Sequence, residues 1–257
     1  MKKEDKIGWY NSFKERFEEE PLFLIKYCSE EKHAIDVSNG KIYVNNARFF
    51  VDLEKGSGIK GTGDKREMIA DIPEGYMIQI RSETTEKPIE FLINKNVQVA
   101  ITLNRDLDTT IYCTSAVKIP DINKVEINET KDKISFKFTV RLDDMDISVY
   151  KYCTIIDSHK FYSSLNDFFS PLNIRWFGNK IAYTNDVSER FEVMKKFDNA
   201  KRYFFKDSYF SSQNEFRIAI EMNMPSDNFI DLNSSIGFVS ETGVDIELFV
   251  EALKNSD

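Results

Sequence analysis

An amide and a carboxylic acid stand two residues apart near the end of the chain. Gln213 and Glu215 lie in the stretch Ser211–Glu215, directly before the apolar run Phe216–Ile220. If the strand begins early, the alternation of side chains along it places both residues on one side. The sequence therefore predicts a junction between a loop and a strand at which both side chains can contact one ligand.

Two earlier segments carry polar groups that could join such a site. In the predicted strand Ile111–Ser115, alternation places the thiol of Cys113 and the hydroxyl of Ser115 on one face. Further upstream, the predicted strand Leu22–Cys28 contains a basic and an aromatic residue. A short helix that ends near Gly40 follows it.

The order of these segments resembles that of the ADP-ribosyltransferase superfamily, whose members carry a basic or aromatic residue on an early strand, a Ser-Thr-Ser-like strand and a late Gln/Glu-x-Glu loop. The resemblance implies a split mixed sheet that binds NAD as cofactor. It implies that Glu215 is the catalytic carboxylate and that Gln213 orients the acceptor. The residues implied to bind the cofactor are Thr114, Ser115, Tyr27 and Lys26.

The function implied by the resemblance is transfer of ADP-ribose from NAD to a macromolecular target, a protein rather than a nucleic acid. The setting would be a conflict between bacteria and phages. The ending Gln213–Ile218, with the letters QNEFRI, also looks like that of uncharacterised bacterial and phage proteins, and no activity is carried over from them.

A structural role for the same residues is the alternative. Glu215 could pair with Arg217 or with a lysine near a strand end, and Thr114 could be an ordinary strand residue. The second functional hypothesis is accordingly a non-enzymatic phage or host interaction protein, such as an inhibitor of a defence system. It would bind a protein partner or form a homo-oligomer through its aromatic residues.

Three further motifs match the letters of known sites without their context. The G-x-G-x-x-G stretch Gly56–Gly61 is followed by Gly63 and Pro73 instead of a long helix, which favours a loop. Pro120–Asp121 with Glu129–Lys131 matches a metal-dependent nuclease motif and supplies a third hypothesis, although its second part falls in a predicted turn. The acidic group Asp143–Asp146 lacks the glycine and closing glutamate of a calcium loop. No metal site is predicted.

The composition excludes several classes of protein. The net charge of −8 provides no long-range cationic field for the capture of nucleic acid. Three cysteines form no C-x-x-C pair, which indicates free thiols in a reducing cytoplasm. No apolar run approaches the roughly 20 residues that a membrane span requires, so no membrane partner is expected.

A basic and aromatic segment, residues 190–206, lies just before Gln213. Its lysines and arginines alternate with phenylalanines and tyrosines, a composition that suits contacts with phosphates and stacking on bases. The same composition also describes a helix that buries its aromatic side chains while its lysines stay in solvent. The second interpretation is favoured.

The pattern of elements predicts one α+β domain, residues 1–257, with a large mixed or mostly antiparallel sheet and a few flanking helices. Helices and strands do not alternate regularly, which argues against a doubly wound parallel sheet. Extended structure is predicted at 47–53 and a glycine-rich loop at 54–67. Helices are predicted at 8–20, with Trp9, Phe13 and Phe17 on the buried face, and at 158–169, 188–197 and 244–254.

Overall fold

The fold is built on one antiparallel sheet of seven strands. The structure is a computed structural model that describes residues 3–57, 64, 66–80, 89–97, 99–117, 120, 124–130, 133–142, 149–196 and 199–253. Six strands form the main path of the sheet, in the spatial order β12 (Trp176–Lys180), β15 (Glu215–Ile220), β8 (Thr110–Ala116), β1 (Phe23–Cys28), β11 (Tyr152–Asp157) and β17 (Gly237–Glu241). The seventh, β3 (Asn45–Asn46), pairs with β8 off this path. The predicted α+β class with a mostly antiparallel sheet is confirmed.

A second, three-stranded sheet contains β10 (Lys133–Arg141) between β9 (Val125–Glu129) and β18 (Asp245–Leu253). Four further pairs of strands are small. They are β2 (Lys41–Tyr43) with β16 (Phe229–Asp231), β4 (Ala70–Asp71) with β7 (Ala100–Ile101), β5 (Met77–Ile80) with β6 (Ile89–Leu92), and β13 (Ala182–Tyr183) with β14 (Phe205–Lys206).

Helices cover both faces of the large sheet. Their bounds are α1 (Lys3–Glu19), α2 (Glu31–Ser38), α3 (Ala47–Ser57), α4 (Asn104–Asp108), α5 (Ser158–Phe169) and α6 (Val187–Met194). Helices α2 and α5 contribute to the core cluster on one face, which contains Leu24 of β1 and Ile218 of β15. On the other face, α1 and the three-stranded sheet cover β1 and β11. The same face of β8 and β15 is covered by α3 and the segment around Tyr203.

Two predictions of secondary structure are wrong. Residues 245–253 of the predicted helix 244–254 form β18 instead. Its residues Ile246, Leu248 and Val250 face the core beneath α1, Glu247 and Phe249 between them are exposed, and the strand pairs with all of β10. The segment 47–53, predicted as extended, and residues 54–57 of the predicted loop form α3. Its buried residues Ala47, Val51 and Glu54 recur at helical spacing.

The buried face of α1 also differs from the prediction. Trp9 is exposed, whereas Tyr10 and Phe13 are buried and Phe13 stacks on Phe136 of β10 at 4.2 Å between ring centroids. In a helix with 3.6 residues per turn, residues 10, 13 and 17 lie on one face. Each step of four residues, as from 9 to 13 to 17, exceeds one turn and moves the side chain further round the helix axis.

Candidate functional site

The structure brings three of the predicted site residues together at one end of β15 and β8. Gln213 ends a 3₁₀ turn, Ser208–Gln213, and Asn214 reverses the chain with a φ of +43°. Glu215 then begins β15 opposite Ser115 of β8. The Ser115 hydroxyl donates to the backbone oxygen of Gln213 at 3.3 Å, so the hydroxyl holds the turn in place.

The other predicted cofactor residues are divided between the two faces of the sheet. Because Leu24 of β1 pairs with Ala116 of β8, alternation puts Lys26 and Thr114 on the face opposite to Glu215. The Thr114 hydroxyl donates to the Phe216 oxygen at 3.0 Å, and the Lys26 ammonium donates to the Cys113 oxygen at 2.8 Å. Both groups are bonded to the sheet itself.

Tyr27 lies on the same face as Glu215 but in a different part of the core. Its ring is buried with Ile25 and Cys153 beneath α1 and the three-stranded sheet. The six residues that the resemblance implies therefore do not surround one cleft.

Glu215 belongs to a buried network of ion pairs. Its carboxylate accepts from Lys206 at 2.5 Å and from Nε of Arg217 at 2.9 Å. The other edge of the Arg217 guanidinium donates to both carboxylate oxygens of Glu67, at 2.7 and 3.2 Å. All four charged groups are buried, and Lys206 also donates to the Gln213 amide oxygen at 3.1 Å. The pairing of Glu215 with Arg217 and a lysine, the structural alternative, is confirmed.

The charges in this network hold each other in the ionised state. Burial alone would raise the pKa of Glu215, but Arg217 and Lys206 outweigh it and keep that pKa well below the ordinary value. Burial alone would lower the pKa of Lys206, and the carboxylates of Glu215 and Glu67 raise it instead. A carboxylate held in this way is a poor proton acceptor, so the network is suited to fixing positions rather than to moving protons.

The thiol beside this network is not activated. Burial and the nearby Glu215 carboxylate raise the pKa of Cys113 to about 12. The neutral thiol donates a hydrogen bond to Glu215. Since the thiolate is the nucleophilic form, Cys113 acts here as a hydrogen-bond donor.

Sequence reasoning missed Glu67, which completes the network, and Asp64 beside it. Both lie in the predicted glycine-rich loop 54–67, and Glu67 stands 150 residues before Arg217, so no local spacing points to it. Asp64 is buried, and one of its carboxyl oxygens has no hydrogen-bond partner among the residues that the structure describes. Burial, together with the charge of Glu67, raises the pKa of Asp64 to about 6.

The other motifs fall largely outside the described residues. This holds for residues 58–61 of the glycine motif, for Asp121, for Lys131 and for Asp143–Asp146. Within the described part of the chain, no three histidine, cysteine or acidic side chains are grouped to hold a metal ion. In the segment 190–206, the aromatic residues Phe191 and Tyr203 are buried, as the favoured interpretation predicts. The basic residues Arg190, Arg202 and Lys206 are buried as well, so the expectation that the basic side chains stay in solvent is wrong for them.

A cavity of about 360 Å³ opens where β1 ends. Its lining includes the aromatic residues Tyr27, Tyr43, Tyr150 and Phe229 and the two lysines Lys26 and Lys41. Lys41 Nζ lies 4.7 Å from the ring centroid of Phe229, and Lys26 Nζ lies 4.9 Å from that of Tyr112. Aromatic walls with two ammonium groups are suited to a flat ligand that carries negative charge.

No protein-family model, curated protein or solved structure matches this chain. Among the helices in the described residues, none combines the length and the apolar character needed to cross a bilayer.

Replacement of Glu215 tests the structural role of the network. Glu215→Gln leaves the buried Lys206 without its carboxylate, and we expect the free energy of unfolding to fall by about 3 kcal/mol. The matched control is Glu247→Gln, which breaks the exposed pair with Lys137 and should change stability by less than about 1 kcal/mol. Urea unfolding measures both, and equal losses would contradict the assignment.

Asp64 should make stability depend on pH. Between about pH 4 and pH 6 the folded protein keeps a proton on Asp64 that the unfolded chain has released, so this residue lowers stability as the pH rises. Asp64→Asn removes the carboxyl group and therefore the loss of stability that it causes as the pH rises. Relative to the unmodified protein, the variant should gain about 1 kcal/mol between pH 5 and pH 7 in urea unfolding.

The control for this measurement is Asp167→Asn on the exposed face of α5. This variant removes a carboxylate that is exposed instead of buried. A stability difference between Asp64→Asn and the unmodified protein that is the same at pH 5 and pH 7 would contradict the role of Asp64.

Proposed function

We propose that this protein is a binding protein for a small aromatic anion of the nucleotide class, held in the cavity at the end of β1. The observation that carries the proposal is the combination of four aromatic residues and two lysines in the lining of one cavity of about 360 Å³. That volume lies near the lower end of the usual range for ligand sites, and it suits a nucleoside monophosphate.

Each part of such a ligand finds a counterpart in the wall. A base can pack against the rings of Tyr43 and Phe229, which lie edge to face at 5.3 Å. A phosphate can accept hydrogen bonds from Lys41 and Lys26, and charge assistance makes such bonds stronger than neutral ones. Asp36 also lines the cavity, so the lysines outnumber the carboxylates by one.

NAD, the cofactor that the resemblance implies, contains two nucleotides. In this proposal it enters the cavity with one of them, and Lys26 and Tyr27 are the two implied cofactor residues that take part. Glu215 takes no part in this binding, because its carboxylate is held by Lys206 and Arg217 on the opposite face of the sheet from Lys26.

Titration calorimetry with AMP, NAD and adenosine tests this function. We expect AMP and NAD to bind, and adenosine to bind about tenfold more weakly because it lacks the phosphate. Lys41→Met should weaken AMP by a similar factor and leave adenosine unchanged. The control is Lys160→Met on the exposed face of α5. Absence of AMP binding at millimolar concentration, or unchanged affinity in Lys41→Met, would overturn the proposal.

Transfer of ADP-ribose to a protein target is the second candidate function. The observation that favours it is the adjacency of Gln213, Ser115 and Glu215 on neighbouring strands. For this reaction Glu215 must exchange its pair with Lys206 for a hydroxyl of the nicotinamide ribose, where it would stabilise the cation that forms as nicotinamide leaves.

Release of nicotinamide from NAD distinguishes the two functions. If the protein only binds, we expect no release above the rate of NAD alone. Release together with attachment of ADP-ribose to an added protein, both lost in Gln213→Ala, a variant that spares the ion pairs of Glu215, would establish the transfer instead. A protein partner, self-association and a cytoplasmic location stay predictions of the sequence.

A further inference from the structure

A second cavity, of about 570 Å³, opens at the same end of the large sheet, next to the start of β8 and the end of β15. Three arginines line it, namely Arg105, Arg175 and Arg202, together with the polar residues Thr109 and Asn223. A group of arginines around one cavity is notable in a chain whose net charge is −8. Guanidinium groups are suited to phosphate because their paired donors match its oxygens.

The carboxylates near this cavity are already engaged. Asp108 pairs with Arg48, which does not line the cavity, at 2.9 Å. Glu221 accepts from Arg175 at 2.6 Å and from the Tyr203 hydroxyl at 3.2 Å. Asp106 accepts from Arg202 at 2.9 Å, beneath the cavity wall. Among the described residues that line the cavity, three arginines therefore stand against two acids, Asp108 and Glu221, which leaves one positive charge in excess.

Arg202 is held rigidly in the floor of the cavity. Its side chain is 4% exposed. Its Nη2 donates to the Tyr203 hydroxyl at 2.7 Å, and its guanidinium carbon lies 4.6 Å from the centroid of that ring. Arg105 and Arg175, in contrast, are 58% and 73% exposed, and each lies near an acid, Arg105 at 3.6 Å from Asp106 and Arg175 at 2.6 Å from Glu221. A bound anion would share these two arginines with their acids, while the fixed Arg202 needs no further ordering.

We propose that this second cavity binds a small molecule that carries a pyrophosphate group. Two linked phosphates can engage Arg105 and Arg175 at once, with the fixed charge of Arg202 below them. The volume exceeds what a single phosphate ion fills, so an organic group attached to the pyrophosphate also has room. This site shares no lining residue with the cavity at the end of β1 and does not depend on the function proposed for it.

Titration calorimetry with inorganic pyrophosphate is the direct test. We expect pyrophosphate to bind at least tenfold more tightly than inorganic phosphate, because two groups engage two arginines. Arg105→Met and Arg175→Met should each weaken pyrophosphate about tenfold. The affinity should also fall as the salt concentration rises from about 20 to about 200 mM, because this shortens the Debye length roughly threefold.

The matched control is Arg141→Met, which removes an equally exposed arginine from β10. It should leave the affinity for pyrophosphate unchanged, and AMP binding at the other cavity should be unchanged in all three variants. Circular dichroism confirms that each variant is folded. The proposal is overturned if the unmodified protein fails to bind pyrophosphate at millimolar concentration, or if Arg141→Met weakens it as much as the other two variants do.

Discussion

The burial of Arg217 in the middle of the large sheet is the constraint on which the surrounding structure depends. Its side chain is 1% exposed, and an unpaired guanidinium at such a place would be strongly destabilising. Glu215 satisfies one edge of the group, while Glu67 and the Tyr203 backbone oxygen satisfy the other. The segment around Glu67, 150 residues away in sequence, and that around Tyr203, 14 residues away, must therefore meet at this side chain, and the network positions both relative to β15.

This constraint also decides what Glu215 can do. A carboxylate between Lys206 and Arg217 is already stabilised as an anion, so it gains little from a further cationic or hydroxyl partner. Buried ion pairs of this kind add less to stability than their short distances suggest, but they select one arrangement of the chain over others. The network therefore fixes the packing of the segment around Tyr203 against β15. The two cavities are better candidates for ligand binding than the network is.

The strands and helices with clear periodicity were predictable from the sequence. Ile134, Phe136 and Phe138 of β10 alternate with polar residues, and all three are buried as that alternation predicts. The strand β18 was not recognised, since a run with both acidic and apolar residues fits a helix as well as a strand until its partner β10 is known. Glu215 and Arg217 could be paired by their spacing. The pairing of Glu67 with Arg217 could not be predicted, because nothing in the neighbouring sequence shows which distant acid pairs with a buried arginine.

The two ends of the large sheet differ: one is closed by hydrogen bonds, and both proposed binding sites lie at the other. At one end, where β8 finishes and β15 begins, the backbone and side chains bond to each other: Asn214 donates to the Ala116 oxygen at 2.7 Å, and Val117 donates to that of Phe23 at 3.0 Å. At the other end β1 and β15 finish and β8 starts, since neighbouring strands are antiparallel. Both cavities open at this second end, and both are lined by more cations than acids. In an acidic protein, an excess of cations at that end would reduce the repulsion of an anionic ligand, and this excess depends on the direction of three strands as much as on any single residue.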